Sequence, residues 1–168
     1  MSALPGSPGG GGAAVTEAGA CDVALLAELN RRCFADPAGP DAAGTPWSAR
    51  DIAEILALPG AFAVLAVAEG QPVGFLLGRS VLEDCEILSL GVLAEHRRGG
   101  HGRRLLRAAA EAARQRGARR LLLEVSERNA AAQAFYRAEG FLAVGRRKNY
   151  YLFPDKSQAD AVICARNL

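Results

Sequence analysis

The most constraining stretch of the chain is Ile87-Leu-Ser-Leu-Gly-Val92, followed by Arg97-Arg98-Gly99-Gly100-His101-Gly102 and Arg103-Arg104-Leu105-Leu106. It reads as strand, glycine-rich turn and helix. The first N–H groups of a helix have no partner within it, and the helix dipole adds positive potential behind them. Such a terminus is a ready anion site. Glycines let the backbone approach a phosphate that a Cβ would fend off, and arginines add charge-assisted hydrogen bonds. The pattern predicts a phosphate-bearing ligand at the start of a Gly102–Arg116 helix. The glycine spacing fits neither the Walker pattern nor G-x-G-x-x-G, so a nucleoside triphosphatase or dinucleotide fold is disfavoured. A plain glycine turn feeding a solvated, arginine-rich helix is the alternative.

Charge sharpens the point. The formal net charge is only +2, yet nine arginines and a single acid, Glu111, lie between Arg97 and Arg120. That window carries +8, leaving 11 basic against 17 acidic residues elsewhere. An arginine-rich module for nucleic acid is therefore a reading to weigh, although the cluster lacks the interleaved aromatics that stack bases. His96 and His101 flank the turn, where arginine neighbours oppose both protonation and metal binding. No metal is expected.

The 168 residues suit one domain, and with half of them apolar a core needs no disulfide or metal staple. Cys21, Cys33, Cys85 and Cys164 form no C-x-x-C pair, which fits free thiols in a reducing compartment. No apolar run reaches the roughly 18 residues of a membrane span. Residues 1–14 are Gly/Pro/Ser/Ala-rich without the features of a secretory signal, so they read as a flexible tail before a single domain over 15–168. A cytoplasmic protein is expected.

Apolar spacing predicts a helix over Asp22–Ala35 capped by Asp22, a loop over Asp36–Pro46, and a second helix opened by Ser48 and Asp51 and closed at Pro59-Gly60. Strands are expected at Ala61–Ala68 and Pro72–Arg79 as a hairpin, then at Glu86–Val92, Leu121–Val125, Phe141–Gly145 and Ala161–Ala165. Helices are expected over Gly102–Arg116 and Asn129–Glu139, each stopped by a glycine. The order implies an α/β fold, a mixed sheet of about six to seven strands flanked by four helices.

Arg97-x-x-Gly100-x-Gly102 resembles the Q/R-x-x-G-x-G/A signature of the GNAT N-acetyltransferases. Further pieces are Pro46-Trp47-Ser48, Leu122-Leu123-Glu124-Val125, Asn129-Ala130-Ala131-Ala132, Phe135-Tyr136, Gly140-Phe141 and Asn149-Tyr150-Tyr151. Together they are most similar to the RimI-type branch, which acetylates the N-terminal alanine of a ribosomal protein. The resemblance spans roughly Val15 to Leu168. It departs in two places: Leu93-Ala94 stands where the family has Asp-Pro, and Asn149-Tyr150-Tyr151 runs on into Leu-Phe-Pro.

The resemblance implies acetyl-CoA as co-substrate. Arg97, Arg98, Gly99, Gly100, His101, Gly102 and Arg103 would hold its pyrophosphate, Asn129 would bind it near the second helix, and Leu90-Gly91-Val92 would bond pantetheine and acetyl carbonyl from a strand that splays from its neighbour. It further implies direct attack by the acceptor amine, with Glu124 as base and Tyr136 as acid. Each residue has a plainer reading: Glu124 as an outward-facing acid at a strand end, Tyr136 as core, Asn129 as a helix N-cap. Trp47 and Tyr150 fit groove-lining positions for the acceptor, or equally the core.

An N-terminal α-amine has a pKa near ~7.8 against ~10.4 for lysine, so neutralising it at pH 7 costs about 1 kcal/mol rather than about 4.6. That favours a peptide N-terminus. The resemblance narrows this to the N-terminal alanine of a small-subunit ribosomal protein, with no membrane partner and no sequence-specific nucleic acid. An acetyltransferase for lysine side chains or a small-molecule amine would share every coenzyme residue and differ only in the groove.

Overall fold

The computed structural model describes residues 14–35 and 46–168. The glycine-rich tail and the expected loop over 36–46 lie outside them, except for Ala14 and Pro46. The described elements, in chain order, are β1 (Ala14–Ala18), α1 (Val23–Cys33), α2 (Ala49–Leu56), β2 (Ala61–Ala68), β3 (Gln71–Val81), β4 (Asp84–Val92), α3 (His101–Gln115), β5 (Arg120–Ser126), α4 (Ala130–Ala138), β6 (Leu142–Leu152) and β7 (Gln158–Asn167). The strands form one sheet in the order β1-β2-β3-β4-β5-β7-β6. Only β4 and β5 run parallel, joined through α3. This is the mixed α/β sheet with four flanking helices that the sequence implies.

Alternation along the central strands divides the core between the two faces. Val64, Leu76, Ile87, Leu121 and Leu123 pack with Leu105, Leu106 and Ala109 of α3 on one face. Ala63, Leu65, Phe75 and Leu77 pack with Leu26, Leu29, Cys33 and Ile52 of α1 and α2 on the other. Because β2 and β3 are covered on both sides, they read as near-continuous apolar runs.

Four details differ from the sequence expectation. β1 pairs antiparallel with β2, from Ala14 opposite Val67 to Ala18 opposite Ala63. Its pattern is too exposed to announce a strand. Asp22 stands at the N-cap of α1 as expected, but its carboxylate accepts from the Gly19 N–H at 2.9 Å rather than from the helix, whereas Ser48 and Asp51 form the expected reciprocal cap on α2. β6 and β7 are longer than expected, and Asn149-Tyr150-Tyr151 lies inside β6, beyond the expected strand end at Gly145.

Candidate active site

β4 and β5 pair only from Asp84 opposite Arg120 to Ile87 opposite Leu123. Beyond that point the strands part, and Glu124 is the next residue along β5. The cause lies on the far side of β4. Leu77 of β3 sits opposite Ser89 and Gly78 opposite Ile87, so Leu88 is an extra residue, a β-bulge. A bulge bends its strand and increases local twist, here where β4 leaves β5. Leu90, Gly91 and Val92 keep their partners on β3 while facing the opening. Gly91 serves packing as well: a Cβ there would lie 2.8 Å from Cys33 Cβ and from Phe75 Cε1. Burial pushes the Cys33 thiol up to about 11, which keeps it protonated.

At the end of β4 the chain turns into α3. Arg98 (φ 64°) and Gly100 (φ 77°) both take left-handed conformations, and Gly100 is the N-cap of α3. The first helical bond is the Arg104 N–H to Gly100 O at 3.1 Å, which leaves the N–H groups of His101, Gly102 and Arg103 without an acceptor inside the helix. Gly102 lies under Phe135 of α4, whose Cζ would be 3.1 Å from an added Cβ. His101 is buried with its Nδ1 unpartnered, and its ring meets that of His96 edge to face. Burial, then Arg104 and His96, hold its pKa below the usual histidine value.

The arginines of this region are largely engaged inside the protein. Arg97 donates through Nε to Val92 O at 3.1 Å and through Nη2 to Cys33 O at 3.2 Å, tying the end of β4 to the end of α1. Arg104 donates to Gly99 O, and Arg103 pairs with Glu139 at the end of α4. Arg114, Arg119 and Arg120 meet Glu111, Glu83 and Asp84. Arg116 donates to Ala112 O and lies over the Phe62 ring. The +8 window is thus not a bare basic face. Three carboxylates from elsewhere in the chain, Glu83, Asp84 and Glu139, answer part of it.

Glu124 points away from the α3-side core that its neighbours Leu123 and Val125 join. Its side chain is 17% exposed, and its Oε1 lies 2.9 Å from Arg147 Nε of β6. The Tyr150 hydroxyl faces the same carboxylate; partial desolvation, then the charge of Glu124, raise the tyrosine's pKa. The Arg147 guanidinium also lies 5.3 Å from the Tyr150 ring centre. Tyr136, on α4, packs against the α3-side core between Phe135 and Phe141. Glu124 and Tyr136 therefore sit on opposite faces of the sheet.

Asn129 is buried, and its side chain accepts from the Ala132 N–H at 2.9 Å, capping α4. Trp47 packs with the α1/α2 core, its backbone N–H donating to Asn30 Oδ1 at 3.0 Å, while Tyr150 lies with Arg147 and Glu124. The two aromatic residues belong to different environments. Sequence reading missed Arg147 and Glu139. The adjacent pair Arg146-Arg147 just before Asn149-Tyr150-Tyr151 was the available signal for the former.

A strand, a left-handed glycine turn and a helix beside a parted pair of parallel strands define a coenzyme-A acyltransferase architecture. Residues 24–141 match the acetyltransferase (GNAT) family, and the chain belongs to that family, whose acyl donor is acetyl-CoA. The N-alpha-acetyltransferase RimI of Mycobacterium tuberculosis is 36% identical over 150 residues, 87% of each chain. The ribosomal protein bS18-alanine N-acetyltransferase of Haemophilus ducreyi is 34% identical over 93 residues, 55% of this chain and 64% of that enzyme's length. The crystal structure of the ribosomal-protein-S18-alanine N-acetyltransferase from Escherichia coli superimposes with a TM-score of 0.79 at 26% identity, covering 92% of this chain and 93% of that one. Among the described residues no group of side chains could hold a metal ion, and no helix is long and apolar enough to cross a membrane.

Proposed function

We propose that the protein transfers an acetyl group from acetyl-CoA to the N-terminal α-amine of a protein, with the N-terminal alanine of a small-subunit ribosomal protein as acceptor. The observation that carries this reading is the parting of β4 from β5 after Ile87 and Leu123, with Glu124 the first residue beyond the fork. Similarity to the RimI enzymes supports the acceptor.

The chemistry requires a neutral amine, a polarised thioester carbonyl and a proton for the leaving thiolate. The left-handed turn at Arg98 and Gly100 and the open N–H groups of α3 suit the pyrophosphate. The Leu90–Val92 backbone suits pantetheine and the developing oxyanion. In this scheme the amine approaches on the Glu124 face. Glu124 takes its proton through water, the C–N bond forms, the C–S bond breaks, and Tyr136 protonates the departing sulfur from the α4 side. The low cost of neutralising an α-amine makes one carboxylate a sufficient base.

Mass spectrometry of a peptide beginning with alanine, compared with the same peptide blocked at its N-terminus and carrying a free lysine, tests the reading. Acetylation confined to the free N-terminus is expected. Acetylation of lysine alone would reject it.

A further inference from the structure

We propose that Arg147 is a positioning residue for acetyl transfer, fixing the Glu124 carboxylate at the fork between β4 and β5. The inference rests on the reading of Glu124 as the base.

Residues three apart in a regular strand point to opposite faces, yet Arg147 and Tyr150 of β6 both reach Glu124. An irregularity in β6 brings them together. Arg147 is opposite Ala161 of β7 and Tyr151 is opposite Ala159, so four steps along β6 match two along β7. The surplus sits at Lys148, Asn149 and Tyr150, with Asn149 in a left-handed conformation (φ 52°). A second cluster pins the irregularity. Asp160 accepts from the Asn149 N–H at 2.9 Å and from Arg146 Nη1 at 3.0 Å, while Glu127 receives Arg146 Nη1 at 2.9 Å and the Asp160 N–H at 2.9 Å. Arg146 thus locks the strand and leaves Arg147 to meet the carboxylate.

Glu124 is mostly shielded, whereas the Arg147 side chain is 56% exposed. Holding one carboxylate oxygen by the guanidinium charge leaves the other oxygen toward the water that takes the acceptor's proton, and the position of the guanidinium over the Tyr150 ring limits the rotamers of the arginine. Arg147 touches neither acyl donor nor reacting carbon in this scheme. It acts through Glu124.

The test is steady-state kinetics of wild type, Arg147→Ala, Arg147→Lys and Tyr150→Phe with acetyl-CoA and the alanine peptide. Arg147→Ala should lower kcat about 10- to 100-fold, as misplacement of a reacting group does. The acetyl-CoA KM should stay within about twofold, the signature of an interaction that matters only on the way to the transition state. Arg147→Lys should recover part of the loss, and Tyr150→Phe should show a smaller fall of the same kind. The melting temperature of Arg147→Ala should stay within about 2 °C of wild type, because a pair this exposed on one side adds little to folding. An unchanged kcat in Arg147→Ala overturns the proposal. So does a fall in kcat accompanied by a raised acetyl-CoA KM and a lowered melting temperature. A wild-type enzyme inactive on the alanine peptide would instead reject the acceptor reading, which separates the two failures.

Discussion

Arg103 Nε lies 2.6 Å from Glu139 Oε1, so the first turn of α3 is tied to the C-cap residue of α4 across 36 positions of sequence. The glutamate is 11% exposed and the arginine 55%. An arginine expected to face a pyrophosphate is thereby also a strut between two helices. Glu139→Gln should cost about 1 kcal/mol, since water can hydrate the released guanidinium. In a chain of this size that is a fall of about 2–4 °C in melting temperature, measurable by calorimetry.

Gly100→Ala should act on both stability and ligand. A left-handed φ of 77° costs an L-residue about 1–2 kcal/mol, and relief of that strain would rotate the N–H groups that open α3. Acetyl-CoA affinity by titration calorimetry should fall well beyond the loss in unfolding free energy.

Gly91→Ala has a different physical cause. Its φ is not left-handed, but the new methyl would meet Cys33 and Phe75 at 2.8 Å. Overpacking of this kind costs about 1–3 kcal/mol. Pairing the variant with Cys33→Ala should restore part of the stability lost in denaturant unfolding.

His101 gives a pH dependence with a definite sign. Burial, then Arg104 and His96, lower its pKa in the folded state, so the unfolded chain binds its proton first as pH falls. The folded protein therefore loses stability as pH drops below the ordinary histidine value near 6.5, at no more than about 1.4 kcal/mol per pH unit. His101→Gln should flatten the melting-temperature profile between pH 7.5 and 5.5. A variant profile as steep as the wild type's would remove His101 from the account.

Glu124→Gln and Tyr136→Phe should each lower turnover on the alanine peptide by about 10²- to 10⁴-fold, as loss of a general base or acid does. Acetyl-CoA-induced thermal stabilisation should persist in both. Normal turnover in the two variants would reject the scheme.

Elements with strong periodicity were readable from residues alone. β2 has the bounds that its apolar run implies, and α3 falls within one residue of its expected span. β1 was not readable, because an edge strand with mostly exposed positions carries no apolar signature. β6 is exposed at ten of its eleven positions and hid most of its length for the same reason. The glycine turn was legible as the start of a helix because its signal is local. The Glu124–Arg147–Tyr150 cluster was not, because it depends on a strand register that no local spacing encodes. Trp47 and Tyr150 looked alike as groove or core candidates, yet one packs with the α1/α2 core and the other lies on β6 beside Arg147 and Glu124.

The fork between β4 and β5 has a consequence for how the protein responds to its substrate. An interior strand normally has neighbours on both sides. From Leu88 onward β4 and from Glu124 onward β5 instead present two facing edges in the middle of the sheet. Such groups need hydrogen-bond partners, and water can supply them until an extended amide-bearing ligand takes over. The ligand then does the work of a missing strand. Amide protons on both edges should gain hydrogen-exchange protection together when it binds, and the cohesion of the two halves of the sheet should rise with ligand concentration.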